Sequence, residues 1–309
     1  MKIVFMGTPD FSVNALESLI EAGHEVAAVV TQPDKKKGRG EKVQFSPVKE
    51  AALKHGLTVY QPQKVRDEEF VNILKDIAPD VIVVIAFGQI LSKEILELAP
   101  YGCINVHASL LPKYRGAAPI QWAVIDGEEK SGVTTMQMDE GIDTGDILEV
   151  VEVVLDEKET GGSLFDKLAK EGAKLIVQTL ESAKNGKLNP VKQDHEKSNY
   201  AKMLKKELGN IDFSKDAVSI ERLVRGLNPW PSAYTKFRGK TLKIWDTEVT
   251  DKEYDGDFGE IVDIDKTTFT VKTGKGSLII NELQLEGKKR MTTDAFLLGN
   301  KLEKGEVLG

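Results

Sequence analysis

The segment Asp80–Phe87, with the sequence DVIVVIAF, is the most hydrophobic run of the chain. A strand that is apolar at every position is buried on both faces, which is typical of the centre of a parallel sheet covered by helices. Upstream, the strands Lys2–Met6 and Glu25–Thr31 are each followed by a helical pattern, the second of which opens at Ser46 and Pro47. This alternation predicts an α/β fold with a Rossmann-like, mostly parallel sheet and helices on both faces.

The same alternation continues toward the middle of the chain. Ile104–His107 predicts the next parallel strand, and Thr134–Met138 and Ile147–Leu155 predict two later strands. A helical pattern then runs from Ser163 to Lys184. We therefore predict one α/β domain over residues 1–189.

The remaining residues change in character. Residues 190–208 are polar and lysine-rich, which predicts an interdomain linker. After a helix at Ala217–Leu227, short β-rich segments with turn residues between them occur at Tyr234–Phe237, Leu242–Thr247, Gly259–Ile264, Thr268–Thr273 and Ser277–Leu285. Five short strands predict a small OB-like β-barrel over residues 209–309. Two domains agree with the length, because 309 residues exceed the size at which one core keeps growing.

Composition excludes several functions. The net charge of -7 means that any nucleic acid must be met by a local positive patch. One cysteine, Cys103, and four scattered histidines offer no metal site, and the turn after Gly7 lacks the G-x-G-x-x-G pattern of NAD binding. The apolar start is too short for a signal peptide or a membrane span, so we expect a cytoplasmic chain without a membrane partner. We also expect a monomer.

Asn105 and His107 lie two residues apart at the end of a predicted strand. Side chains alternate faces along a strand, so both point the same way while Val106 points into the packing. A satisfied core histidine beside a turn residue would explain a lone pair of this kind. However, Pro112 and Gly116 rule out a continuing element, and a strand end facing a loop is where α/β enzymes keep their chemistry.

The stretch Asp139–Asp146, DEGIDTGD, directly follows a predicted strand. By itself it is typical of a solvated turn. If the sheet is parallel, however, this loop emerges on the same carboxyl edge as His107, where a carboxylate would orient the imidazole and favour its protonated form. The residues alone do not distinguish Asp139, Asp143 and Asp146.

These segments carry a family resemblance. NVHASLLPKYRGAAPIQWA and MQMDEGIDTGD resemble the signature of the folate-dependent formyltransferases, which transfer one-carbon units from 10-formyltetrahydrofolate to an amine. MKIVFMGTPDF, AFGQILSKEIL, YAKMLKKELGNIDF and GLNPWPSAYT resemble the members that act on the amino group of methionyl-initiator tRNA. The resemblance therefore covers nearly the whole chain, whereas shorter relatives that formylate a nucleotide lack the C-terminal domain.

The resemblance implies roles for particular residues. Asp143 falls where the family keeps its catalytic carboxylate, with Asn105 and His107 as the other catalytic residues. An amine attacking a formyl carbon gives a tetrahedral intermediate whose oxygen needs preorganised donors, which an amide and a protonated imidazole provide. For the folate, the resemblance implies binding by Phe87, Gly88, Gln89, Ile90, Leu91, Ser109, Leu110, Leu111 and Pro112.

A local positive patch lies between the second strand and the helix at Ser46. It consists of Lys35, Lys36, Lys37, Arg39 and Lys42. Most charge runs are merely solvated, but five cations against Glu41 alone suit phosphate contacts, and this segment leaves the sheet on the side of the proposed site. In the resembling family the corresponding insertion enters the acceptor stem of initiator tRNA.

Three functions from different classes remain open. The leading hypothesis is a formyltransferase acting on methionyl-initiator tRNA. A second is a folate-dependent formyltransferase acting on a small amine, such as an amino sugar or a nucleotide, which the lysines and the C-terminal half disfavour. A third is a noncatalytic RNA-binding protein with a decayed enzyme domain, which the presence of Asn105, His107 and Asp143 disfavours.

Overall fold

The computed structural model describes residues 1–37 and 42–309, and for residues 35–37 and 42–43 it describes the backbone alone. Contacts divide the chain into two compact units. Unit 1 comprises Met1–Pro119, Lys130–Val154 and Phe165–Ala201. Unit 2 comprises Ile120–Glu129, Leu155–Leu164 and Lys202–Gly309. The division into residues 1–189, 190–208 and 209–309 stays a prediction.

Strands and helices alternate along the first two thirds of the chain. The strands are β1 (Lys2–Gly7), β2 (Glu25–Val30), β3 (Lys35–Lys37), β4 (Lys42–Gln44), β5 (Val59–Tyr60), β6 (Val81–Ile85), β7 (Cys103–His107), β8 (Arg115–Gly116), β9 (Lys130–Gln137), β10 (Ile147–Val154) and β11 (Tyr200–Ala201). The helices are α1 (Val13–Glu21), α2 (Pro47–Lys54), α3 (Glu68–Ile77), α4 (Lys93–Leu96), α5 (Pro119–Ile125) and α6 (Gly161–Lys184).

Unit 1 is built on a seven-stranded sheet with the order β10-β9-β7-β6-β1-β2-β5. β6, from the most hydrophobic run of the sequence, is the middle strand, and all five of its residues are buried. Its neighbours β1 and β7 both run parallel to it. The expected Rossmann-like α/β fold with β6 at its centre is confirmed.

The sheet is mixed, however, because β9 runs antiparallel to both β7 and β10. Gln137 at the end of β9 therefore pairs with Ile104 near the beginning of β7. The expectation that the following loop leaves the carboxyl edge beside His107 is wrong. Apolar alternation looks the same for a strand of either direction, so the sequence pattern did not distinguish them.

The two faces of β7 carry different residues. Gly172 of α6 packs so closely on Val106 that an added Cβ would lie 3.0 Å from the valine side chain. Cys103 belongs to the core cluster formed with α3 and α4, and burial raises the pKa of its thiol to about 12. Because alternate residues share a face, Asn105 and His107 lie on the face of Cys103, opposite α6.

Unit 2 contains an antiparallel sheet. Its strands are β12 (Ala233–Phe237), β13 (Lys240–Thr250), β14 (Ile261–Ile264), β15 (Phe269–Lys272), β16 (Ser277–Leu285) and β17 (Met291–Thr292), and its helices include α7 (Ala217–Gly226) and α8 (Thr293–Gly299). The strand order is β12-β13-β16-β15-β14, with β17 paired to β16. The five predicted strands are present, and β17 and α8 were not predicted.

The chain end fills the gap between the two edge strands of this sheet. Ile261 of β14 donates to the carbonyl of Glu306, and Leu308 donates to the carbonyl of Gly259. On the other side, Gly309 donates to the carbonyl of Lys236 in β12. The sheet is thus OB-like and curls toward a barrel, but it is completed by an irregular segment instead of a closed strand ladder.

Candidate active site

His107 is held by the loop that follows its own strand. Its Nε2 lies 2.8 Å from the carbonyl oxygen of Tyr114, and the imidazole is buried. A carbonyl oxygen only accepts hydrogen bonds, so Nε2 is assigned as the N–H donor of the ring. The other ring nitrogen, Nδ1, lies 3.7 Å from Oδ2 of Asp143.

The structure distinguishes the three aspartates of the catalytic loop, by which we mean Asp139–Asp146. Asp143 faces His107, and its Oδ2 accepts a 2.8 Å hydrogen bond from the backbone N–H of Gly116. Asp139 instead bonds within the loop, to the backbone N–H of Gly141 and the hydroxyl of Thr144. Asp146 has its Oδ1 3.6 Å from Nζ of Lys192. Asp143 is therefore the carboxylate that the fold brings to the imidazole.

The catalytic loop reaches His107 across the face of the sheet. Met138, at the start of the connection, donates its backbone N–H to the carbonyl of Cys103, and its side chain packs against the core cluster on the Cys103 face. From Cys103, at the start of β7, the loop extends toward the end of that strand, where Asp143 lies beside His107. The expected pairing thus occurs, although by a route that differs from the one a parallel edge would have given.

Asn105 is buried on the same face as His107. In the described part of the chain, its side-chain amide has no hydrogen-bond partner. The polar atoms of this amide are still partly accessible to solvent. An amide that is largely buried but unpaired keeps its N–H groups available for a ligand. Asn105, His107 and Asp143 therefore offer a donor, an imidazole and a carboxylate on one face of β7.

Gly116 is required by the close packing beside Asp143. Its φ of +105° lies in the region that favours glycine, and an added Cβ would lie 2.7 Å from the ring of Tyr200. Tyr200 belongs to β11, which pairs in parallel with β8. Part of the segment predicted as a linker therefore supports the backbone N–H that binds the Asp143 carboxylate.

The loop after β7, with the sequence SLLP at residues 109–112, is tied to β9. Thr134 lies opposite His107 in the ladder, and its hydroxyl donates to the carbonyl of Ser109 at 2.7 Å and accepts from the N–H of Leu111 at 3.2 Å. The Ser109 hydroxyl donates to the carbonyl of Lys113. Leu110 and Pro112 are half-buried, whereas Ser109 and Leu111 are buried.

The turn after β6 alternates between buried and exposed residues. Phe87 and Leu91 are buried, Gln89 is half-buried, and Gly88 and Ile90 are exposed. The carbonyl of Phe87 accepts from the side chains of Thr8 and Gln32, both at 3.1 Å. The Gln89 side chain accepts from the N–H of Val65 and donates to the carbonyl of Pro62.

The lysine segment, by which we mean residues 35–42, begins and ends in a short antiparallel pair of strands. Lys35, Lys36 and Lys37 of β3 pair with Gln44, Val43 and Lys42 of β4. Arg39, also predicted to bind tRNA, lies outside the described residues. At the base of the segment, Asp34 is bound by Lys49 at 2.6 Å and by Gln61 at 2.8 Å.

Several supporting residues were not found from the sequence. They are Tyr114, Gly116, Thr134 and Gln193, and each acts through a backbone or long-range contact. Gln193 is buried and bonds to the carbonyl oxygens of Asp143 and Gly145. It lies in a polar run whose composition gives no signal of burial.

Two family models match the sequence of this chain. The model described as "Formyl transferase" matches residues 1–180, and the model described as "Formyl transferase, C-terminal domain" matches residues 203–301. The chain belongs to the formyltransferase family, as the sequence motifs predicted. Proteins named "Methionyl-tRNA formyltransferase" are similar over the full length of both chains, at 60% identity in Lachnospira eligens and 54% in Clostridioides difficile.

Solved structures share the fold at lower identity. WlaRD, a sugar 3N-formyl transferase solved in the presence of dTDP and 5-N-formyl-THF, matches with a TM-score of 0.68 and 20% identity, over 94% of this chain and 99% of that chain. HypX from Aquifex aeolicus in complex with tetrahydrofolic acid matches with a TM-score of 0.63 and 18% identity, over 100% of this chain and 50% of that chain. At such identities these structures support the fold alone.

Proposed function

We propose that the protein transfers the formyl group of 10-formyltetrahydrofolate to the α-amino group of methionyl-initiator tRNA. The observation that carries this proposal is the full-length similarity to proteins named for that activity, at 54% and 60% identity. The side chains on the face of β7 supply the chemistry that such a transfer needs.

The reaction forms one C–N bond and breaks another. The amino nitrogen attacks the formyl carbon to give a tetrahedral intermediate with negative charge on its oxygen, and the bond to N10 of the folate then breaks. The unpaired amide of Asn105 and a protonated Nδ1 of His107 are the donors proposed for that oxygen. Removing one such donor typically costs about 100- to 1000-fold in rate.

Asp143 has two tasks in this scheme. Its carboxylate Oδ2 lies 3.7 Å from Nδ1 of His107, which is beyond hydrogen-bonding distance but close enough for its charge to orient the imidazole, so the Nδ1–H stays available to the oxygen of the intermediate. The attacking amine loses a proton as the new bond forms, and N10 of the folate gains one as it leaves. In this proposal Asp143 is the base that passes this proton on, directly or through a water.

Residues on two loops fit a folate. The exposed backbone at Gly88 and Ile90 offers peptide groups for the edge of a pterin ring, and Phe87 and Leu91 give the turn an apolar base. The hydroxyl of Ser109 is used within its own loop, so Ser109, Leu110, Leu111 and Pro112 would contribute shape and apolar surface. The co-substrate supplies the activated formyl group.

The lysine segment is the proposed docking site for tRNA. Lys35, Lys36, Lys37 and Lys42 share one pair of strands, and Arg39 falls between these strands in the sequence. Phosphate contacts position a nucleic acid and depend on charge more than on side-chain geometry.

We also propose that the protein acts as a monomer in the cytoplasm. In the described residues no helix is long and apolar enough to cross a membrane.

The test offers labelled 10-formyltetrahydrofolate to the protein with one acceptor at a time. The acceptors are methionyl-initiator tRNA, the same tRNA without methionine, and small amines including an amino sugar and an amino nucleotide. We expect label in methionyl-tRNA alone. Label in a small amine with none in methionyl-tRNA would support the second function considered from the sequence, and label in no acceptor would remove the enzyme assignment.

A further inference from the structure

Asp143 has a backbone conformation that needs support. Its φ is +53°, in the left-handed region that side chains other than glycine rarely adopt, although aspartate tolerates it better than most. Such conformations are strained and persist where surrounding contacts enforce them. The carboxylate itself is held by the N–H of Gly116, which leaves the backbone of the loop to be fixed by something else.

Gln193 makes the contacts that fix this backbone. Its Nε2 donates to the carbonyl oxygens of Asp143, at 2.9 Å, and Gly145, at 2.7 Å. Its Oε1 accepts from Nε and Nη2 of Arg115, at 3.0 and 2.7 Å. The side-chain amide therefore has all its strong hydrogen-bonding positions filled while only 6% of the residue is exposed.

Arg115 determines which way the amide points. A guanidinium has five N–H donors and no acceptor, so it must face the oxygen of Gln193 and turn the NH₂ group toward the catalytic loop. Among the described residues, no carboxylate lies within ion-pair distance of Arg115. Gln193 is thus the partner of this buried cation as well as the donor to the loop.

The backbone around Gln193 is also fixed. Val191, two residues earlier, exchanges a pair of 2.8 Å hydrogen bonds with Ile147, the first residue of β10. Ile147 directly follows the catalytic loop. The segment that contains Val191 and Gln193 therefore binds the chain at the end of the loop through Val191 and within the loop through Gln193. By contrast, the bonds from Asp139 to Gly141 and Thr144 lie inside the loop and do not attach it to the rest of unit 1.

We propose that Gln193, oriented by Arg115, is a positioning residue that holds Asp143 in its left-handed conformation with the carboxylate facing His107. This inference rests on the proposed function, since it assumes that Asp143 takes part in the transfer. Gln193 touches no reacting atom, and it acts through the geometry of Asp143.

Two substitutions separate its two sets of contacts. Gln193→Glu keeps oxygens for Arg115 but places a carboxylate against the carbonyls of Asp143 and Gly145, whereas Gln193→Met removes both sets at similar volume. Misplacing a catalytic group by about 1 Å costs about 100-fold. We expect kcat to fall about 100-fold in Gln193→Glu, with KM for the folate and Kd for tRNA changed less than about twofold and Tm close to wild type, because the pair with Arg115 remains.

A merely structural role gives a different pattern. In that case Gln193→Met would lose more Tm and more activity than Gln193→Glu, and Gln193→Glu would keep its kcat. The matched control is Gln178→Glu, the same change at an exposed glutamine of α6, for which we expect unchanged kcat and Tm. Wild-type kcat in Gln193→Glu would overturn the inference.

The double variant with Asp143→Ala separates this inference from the proposed function. If Gln193 acts through Asp143, adding Gln193→Glu to Asp143→Ala should leave the residual rate within about twofold, because the two residues then act as a unit. A further large loss would show that Gln193 acts elsewhere and would overturn the inference alone. Wild-type turnover in Asp143→Ala itself would instead overturn the catalytic role assigned to Asp143, and the inference with it.

Discussion

The catalytic loop and the lysine segment both belong to unit 1, and the contacts that the structure describes around them differ. In the catalytic loop, Asp143 is bound at its carboxylate by Gly116 and at its carbonyl by Gln193. For the lysine segment, the structure describes backbone pairing between β3 and β4 and side-chain contacts at its base, where Lys49 and Gln61 bind Asp34. A carboxylate that transfers a proton must be held in one geometry. Lysines that attract phosphates need only bring positive charge near the nucleic acid.

Two aspartates of the catalytic loop should differ most in their effect on turnover. Asp143→Ala should lower kcat about 100- to 10000-fold, because it removes the base and the partner of Nδ1. Asp139→Ala should have a smaller effect, since Asp139 bonds only within the loop. Steady-state kinetics with saturating tRNA measures both, and an equal or greater decrease in Asp139→Ala would contradict the assignment of the catalytic carboxylate.

Asn105→Ala tests the proposed oxyanion donor. We expect a decrease of about 100- to 1000-fold in kcat with KM nearly unchanged, because the donor acts in the transition state. Asn185→Ala, at an exposed residue after α6, is the matched control. A rise in KM at constant kcat would assign Asn105 to ground-state binding instead.

Neutralising the lysine segment should change binding and leave the chemistry intact. For Lys35, Lys36 and Lys37 replaced together by Ala, the slope of log Kd against log salt should fall by about 2 to 3, because each phosphate that a lysine neutralises adds about 0.7–0.9 to that slope. The control is the triple Ala variant of Lys170, Lys174 and Lys184, which are exposed on α6 and change the net charge equally. Salt titrations of tRNA binding measure both, and equal slopes would remove the docking role.

A modest effect on stability is expected at the base of the lysine segment. Burial opposes ionisation of Asp34, but the hydrogen bonds from Lys49 and Gln61 outweigh it and hold the pKa of this carboxyl below its ordinary value. The stabilisation is therefore present above the unfolded-state pKa of about 3.9 and disappears as the pH falls through the lower folded-state value. Asp34→Asn should lower the free energy of unfolding by about 1 kcal/mol at pH 7 and by much less near pH 2. Denaturant unfolding at both pH values measures this, and a decrease independent of pH would contradict the assigned cause.

Sequence patterns predicted the elements better than their directions. The all-apolar run of β6 identified the centre of the sheet, because only a strand covered on both faces is apolar throughout. The direction of β9 was missed, since alternation is the same in parallel and antiparallel strands. In unit 2, β17 spans two residues and α8 seven, which is too short for a periodic pattern to emerge.

The site was predictable where chemistry and strand spacing coincide. Asn105 and His107 are two residues apart on β7, and residues at that spacing on a strand share a face. The sequence therefore predicted that their side chains lie together, and the structure has both on one face. The choice of Asp143 over its neighbours came from resemblance, because the groups that distinguish it, Gly116 and His107, come from other segments. Gln193 was not predictable, since its burial depends on long-range contacts in a lysine-rich run.

The imidazole of His107, which faces Asp143, is the group on which the proposed formyl transfer depends. The decisive quantity is the single-turnover rate of His107→Ala, measured with labelled 10-formyltetrahydrofolate and prebound methionyl-tRNA. We predict a rate at least about 100-fold below wild type, with tRNA affinity within about twofold, because the variant lacks a transition-state donor and keeps every docking contact. Transfer at the wild-type rate by a variant that binds tRNA normally would contradict the role assigned to His107.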